Sequence, residues 1–160
     1  MRRLAVAWIC TAAMPAAAAD AQSKRATEIL AEARAECARI DAGGLKVEDG
    51  AVIAADLDGD GLSDDEVVDF AAVFCDYNLS HWHGTGGAPI HFVIDGERSE
   101  SWWAHYWSTV DFDEMRVILM ARHGSYCDRY GAAPCVQAVV ATPEGFSTVV
   151  LPFSEETLTD

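Results

Sequence analysis

From Ala26 onward, apolar residues fall at Ala26, Ile29, Leu30, Ala33, Cys37 and Ile40, three or four apart among charged neighbours. That spacing places one apolar stripe along a helix and predicts a helix over residues 23–40, stopped by the Asp41–Gly44 stretch "DAGG". Beyond it the period shortens. Apolar runs at 47–55, 66–74, 90–94, 102–110, 115–121, 136–141 and 146–151 alternate or are continuously apolar, and they predict strands. Between the last two, "TPEG" (Thr142 to Gly145) supplies the proline and glycine of a tight hairpin turn. A helical stripe followed by strands implies an α+β fold, with the N-terminal helix packed on a mainly antiparallel sheet.

The first residues follow a different pattern. Arg2 and Arg3 precede an apolar run from Leu4 to Ala13, and small residues occupy Ala16 to Ala19 and Ala21. This order is that of a secretory leader, with cleavage after Ala19 or Ala21. Pro15 interrupts the run before the roughly 20 residues that a membrane helix requires. The expected organisation is a leader over 1–21, one domain over 22–153 and a flexible acidic tail over 154–160. An exported protein without a membrane span, periplasmic or secreted, follows from this reading.

Cysteine usage agrees with export. Apart from Cys10 in the leader there are four cysteines, Cys37, Cys75, Cys127 and Cys135, and an even number in an oxidising compartment implies two disulfides. Of three pairings we favour Cys37 with Cys75 and Cys127 with Cys135, because the second pair brackets the short turn-rich loop "CDRYGAAPC". The chain carries 26 acidic against 11 basic residues, a net charge of −15. Such a surface repels nucleic-acid phosphates and anionic lipids and favours cations, basic proteins and neutral ligands.

Much of the acidity is concentrated in "AADLDGDGLSDDEVVDF", residues 54–70. Asp56, Asp58 and Asp60 stand at positions one, three and five of a loop, with Gly61 at six, Leu62 at seven and Asp64 at nine. Calcium takes six to eight oxygens, and this spacing lets the carboxylates and the Leu62 carbonyl converge on one Ca2+ ion around the turn at Gly61. Without a cation, carboxylates held so close repel one another. The loop departs from an EF-hand at position twelve, which is Val67 in place of a bidentate glutamate, with Glu66 one residue early.

On these residues, "VIAADLDGDGLSDDEVV" resembles the calcium loop of FG-GAP or VCBS-type repeats, in which one strand enters a DxDxDGxxD loop and another leaves it. The fragment "DGDGLSDDE" also resembles thrombospondin type 3-like repeats. The FG-GAP resemblance implies Asp56, Asp58, Asp60, the Leu62 carbonyl and Asp64 as ligands. The motif occurs once, so neither a propeller nor a repeat rod is implied. The order of cysteine-bearing helix, single acidic loop, "GTGG" and "HGSYCDRYGAAPC" is similar to uncharacterised secreted bacterial proteins.

Two further stretches carry candidate chemistry. In "SHWHGTGG", His81 and His83 alternate about Trp82, and an extended backbone would aim both imidazoles the same way. In "SWWAHYWS", one continuous strand would put Trp103, His105 and Trp107 on one face, with Trp102 and Tyr106 on the other. Trp103 and Trp107 exposed together would form an aromatic platform. No nucleophile elbow, HExxH or paired-carboxylate arrangement accompanies the histidines. The sequence thus favours an exported, disulfide-stabilised calcium-binding module that recognises a protein or glycan and is not an enzyme, with His81, Trp82 and His83 as a binding surface. The alternative is a secreted metal-dependent hydrolase using the His81/His83 region.

Overall fold

The computed structural model describes residues 22–113 and 115–148; the leader, the last strand beyond Thr148 and the acidic tail expected from the sequence lie outside them. Helix α1 runs Lys24–Arg39, capped by Ser23, whose hydroxyl accepts from the Ala26 N–H. Its stripe is buried at Ala26, Ile29, Ala33 and Cys37. Ten strands follow among the described residues, in three antiparallel sheets. The sheets dominate, so α+β describes the fold only loosely.

The expected strands over 47–55 and 66–74 each divide. The first becomes β1 (Leu45–Val47) and β2 (Val52–Ala55), and the second becomes β3 (Asp65–Asp69) and β4 (Val73–Cys75), separated by a 3-10 turn at Phe70–Ala72. Strands β1 and β4 pair as a ribbon, Leu45 opposite Cys75. A four-stranded sheet runs β2-β3-β5-β6, with β5 at Ala88–Ile94 and β6 at Arg98–Ala104. A second runs β10-β9-β8-β7, from β7 (Tyr106–Phe112) through β8 (Met115–Arg122) and β9 (Cys135–Thr142) to β10 (Gly145–Thr148).

Alternation along β3 and β5 sends side chains to two different cores. Val68 and Val93 belong to a buried cluster with Ala26, Ile29, Ala33 and Phe70. Val67, Ile90, Phe92 and Ile94 point the opposite way and share a second cluster with Ile118, Met120 and Val139 of the other sheet. Trp102 and Phe146 close that cluster edge to face at 5.5 Å.

The expected single strand over 102–110 is broken at His105, where the chain leaves one sheet and enters the next. The break resets the alternation. Trp102 and Trp107 both pack on the core between the sheets, 5.8 Å from the Phe92 ring, while Trp103 stays on the outer side and is 37% exposed. Trp103 and Trp107 therefore do not form a shared platform.

Glycine is required at the start of β5. Gly84 and Gly87 exchange both backbone hydrogen bonds at 3.0 Å, closing "GTGG" into a tight turn. Gly87 has φ +90° and packs so closely on the backbone that a Cβ would lie 2.0 Å from the Ala104 carbonyl oxygen. The structure joins Cys37 to Cys75 and Cys127 to Cys135. The first bond ties α1 to the β1–β4 ribbon and is fully buried.

Candidate functional site

The acidic loop is the turn of the β2–β3 hairpin, which closes with Ala55 opposite Asp65. It is held open by its own backbone. Gly59 and Gly61 N–H groups donate to the two oxygens of Asp56 at 2.7 and 3.0 Å, Asp60 N–H donates to Asp58 at 3.1 Å, and Leu62 N–H donates to Asp60 at 2.7 Å. Successive side chains capping successive N–H groups curl the chain around its aspartates. Gly61, at position six, takes φ +88°, which suits glycine at a sharp turn.

The result is a cluster of Asp56, Asp58 and Asp60 in which one ligand oxygen from each lies within 4.8 Å of the others. The cluster can hold a metal ion. Among the described residues it is the one group of three or more histidine, cysteine or acidic side chains so arranged. Asp64 is exposed and lies outside this cluster, and Leu62 is an exposed loop residue. Val67 is fully buried in β3 and contributes no oxygen at position twelve.

Two charged residues that the sequence reading did not single out, Asp65 and Arg116, position this loop. Asp65 is 1% exposed, and its carboxylate accepts from the Leu57 N–H at 2.8 Å and the Asp95 N–H at 2.9 Å. It thereby ties the loop entrance to the end of β5. Burial pushes the Asp65 carboxyl above its ordinary range, and the two backbone donors oppose that rise. Glu66, also buried, accepts from the Ser23 N–H at 3.0 and 3.2 Å, fixing the start of α1. A glutamate one residue early for a calcium ligand thus serves the helix. Arg116 of β8 lies 3.0 Å from Asp56 Oδ2 and also holds Asp111 at 2.7 Å, which strengthens its hold on its proton. The one available signal was the pair Asp65 and Glu66 at the edge of an apolar strand run, where a charge drawn into the sheet demands partners.

The histidine region is a series of turns, with His81 N–H donating to the Asn78 carbonyl and His83 N–H to the Ser80 carbonyl. The alternation of an extended segment does not apply there. His83 stacks on Phe74, with centroids 4.6 Å apart, and its Nε2 lies 3.4 Å from the Ala71 carbonyl. His81 instead lies 3.4 Å from the Glu36 carboxylate. Trp82 is half-buried and meets Phe70 edge to face at 5.0 Å. His81 and Trp82 meet edge to face at 4.9 Å and share one neighbourhood, whereas His83 serves another. Trp82 covers the helix-side core and lines a cleft beside it.

No protein family model, curated protein or solved structure matches this chain. The candidate site therefore rests on its own residues. No helix among the described residues is long and apolar enough to cross a membrane.

Proposed function

We propose that this protein is an exported calcium-binding module, braced by two disulfides, that recognises a partner and does not catalyse a reaction. The observation that carries the reading is the convergence of Asp56, Asp58 and Asp60 within 4.8 Å. Three carboxylates at that distance repel one another, Arg116 offsets only part of that charge, and a hard divalent ion with flexible oxygen coordination suits an all-oxygen set. Water and the loop carbonyls, with Leu62 and Asp64 as the further ligands implied by the FG-GAP resemblance, complete the shell. The disulfides support an oxidising compartment.

Calcium binding here orders a hairpin whose strands belong to the sheet that also carries the helix-side core. The partner surface is the one that includes Trp82, which a protein or glycan reaches from the cleft side. Without a glutamate at position twelve, calcium affinity is modest, on the order of 10⁻⁴ to 10⁻³ M as in other extracellular modules. Isothermal titration of the disulfide-bonded protein tests the reading. Saturable calcium heat in the wild type, absent from Asp58→Ala and Asp60→Ala, is the expected result; a wild type without calcium heat or thermal stabilisation overturns it.

A further inference from the structure

At the opposite end of β5 from the acidic loop, a cleft of about 340 Å³ opens between α1 and the outer face of the first sheet. The register explains how it forms. Pro89 pairs with Trp103 and His91 with Ser101, so these side chains stand on the face that also carries Val68 and Val93. The small residue Ala33 leaves room on the helix side, and Phe70 and Trp82 close the remaining wall.

The walls are aromatic and the rim is acidic. The Phe70 and Trp82 rings meet at 89° with centroids 5.0 Å apart, and His91 lies 5.0 Å from Phe70 at a 41° tilt. Trp103, 37% exposed, forms the outer side. Glu32 and Glu36, one helical turn apart, stand at the mouth, and no lysine or arginine lines the cleft. Arg39 hydrogen-bonds Glu36 and keeps its carboxyl below the ordinary glutamate range, so it remains charged at neutral pH. Arg25 holds Glu32 at 3.4 Å from the same helix, which steers that carboxylate without using all its acceptor positions. His91 stays neutral because burial and the nearby Arg25 disfavour its protonated form, so it presents a ring without repelling a cation.

We infer that this cleft binds a small organic cation carrying an alkylated ammonium group, held by the Trp82 and Trp103 rings and by the charge of Glu32 and Glu36. The chemistry follows from three features together. Aromatic faces attract cations through the ring quadrupole, and the attraction strengthens when the head group is desolvated. Phe70 is 4% exposed and backs the cleft, so the aromatic faces that a ligand reaches are those of Trp82 and Trp103. Two carboxylates at the mouth, each paired with an arginine of α1 and Glu36 also with His81, add to the field of a chain of net charge −15, which draws a cation and repels an anion.

This inference rests on the reading of the protein as a binding module and names the ligand class of its Trp82 face. It is tested by titrating the disulfide-bonded protein with choline, with its neutral isostere 3,3-dimethylbutan-1-ol and with cellobiose, following tryptophan fluorescence and heat. Saturable choline binding at least tenfold tighter than that of the isostere is expected. Trp103→Ala, at an exposed position, should weaken choline about tenfold, and the Glu32→Gln/Glu36→Gln double variant several-fold, with weakening by salt in the wild type. Equal binding of the isostere, preference for cellobiose, or no saturable choline signal at millimolar concentration overturns the inference. A calcium titration on the same sample separates the two readings: calcium heat without choline binding removes only this ligand class.

Discussion

Arg116 and Asp56 join the two sheets at the acidic loop. The Arg116 guanidinium lies 3.0 Å from Asp56 Oδ2 and also donates to the Asp56 carbonyl at 3.1 Å. The pair is shielded, with 24% of the arginine and 11% of the aspartate side chain exposed. A fixed positive charge thus sits beside the first residue of the cluster, where it relieves repulsion between the aspartates and competes with any cation that binds them. Gly59 makes room for this approach, since a Cβ there would lie 3.1 Å from the arginine Cβ.

Arg116→Gln should therefore separate the two effects. Calcium affinity is expected to rise about three- to tenfold, as removal of a neighbouring like charge is worth roughly 1 kcal/mol at a partly exposed site. The melting temperature in chelator should fall. Isothermal titration and thermal melts on the same variant check both signs; a loss of affinity would show that Arg116 organises the loop and does not compete with the ion.

Asp58 in the loop and Asp65 at the start of β3 should behave differently. Asp65→Ala leaves the Leu57 and Asp95 N–H groups without their acceptor and should cost about 2–4 kcal/mol with or without calcium. Asp58→Ala removes one of three crowded carboxylates from the loop. In chelator it should change stability by less than about 1 kcal/mol, while abolishing stabilisation by calcium. Urea denaturation with and without calcium distinguishes the pair.

The contrast between these two residues marks what the sequence made legible. Asp58 was readable because its partners are two residues away on each side, and a short spacing rule describes them. The α1 stripe was readable for the same reason, since its contacts repeat every third or fourth residue. Asp65 and Glu66 bond to backbone groups 30 and 43 positions away, and Arg116 reaches an aspartate 60 positions back. No local pattern encodes such partners. The bend at His105 was equally hidden, because aromatic residues continue on both sides of it and nothing local marks where the alternation resets as the chain changes sheets. The cleft arises from three separate segments, α1, the Phe70–Trp82 region and the β5–β6 pair, none of which announces the others.

The disulfides should open in a definite order. Cys37 and Cys75 are both fully buried, whereas Cys127 lies in an exposed turn. Thiolate attack requires access to a sulfur, so limiting reductant should open Cys127–Cys135 first. Its loss should cost roughly 2.6 kcal/mol and that of Cys37–Cys75 roughly 4 kcal/mol, because the latter closes the longer loop. Timed alkylation and peptide mapping measure the order, and Cys→Ser pairs measure the two costs.

His91 should make the fold sensitive to mild acid. Burial, reinforced by Arg25 and opposed by Glu32, pulls its pKa down from 6.5 to about 4. The unfolded chain therefore takes up this proton first as the pH falls, and stability drops wherever the unfolded state binds more protons. The contribution is fully present above pH 6.5 and is lost progressively as the pH falls toward 4. At 1.36 kcal/mol per unit, the loss amounts to about 2 kcal/mol by pH 5. That interval lies mostly above the ordinary carboxylate range, so the slope reports chiefly on histidine. Urea denaturation at intervals from pH 7.5 to 5 measures it, and His91→Gln should flatten the slope even if it lowers stability throughout. An unchanged slope in that variant would place the acid sensitivity elsewhere.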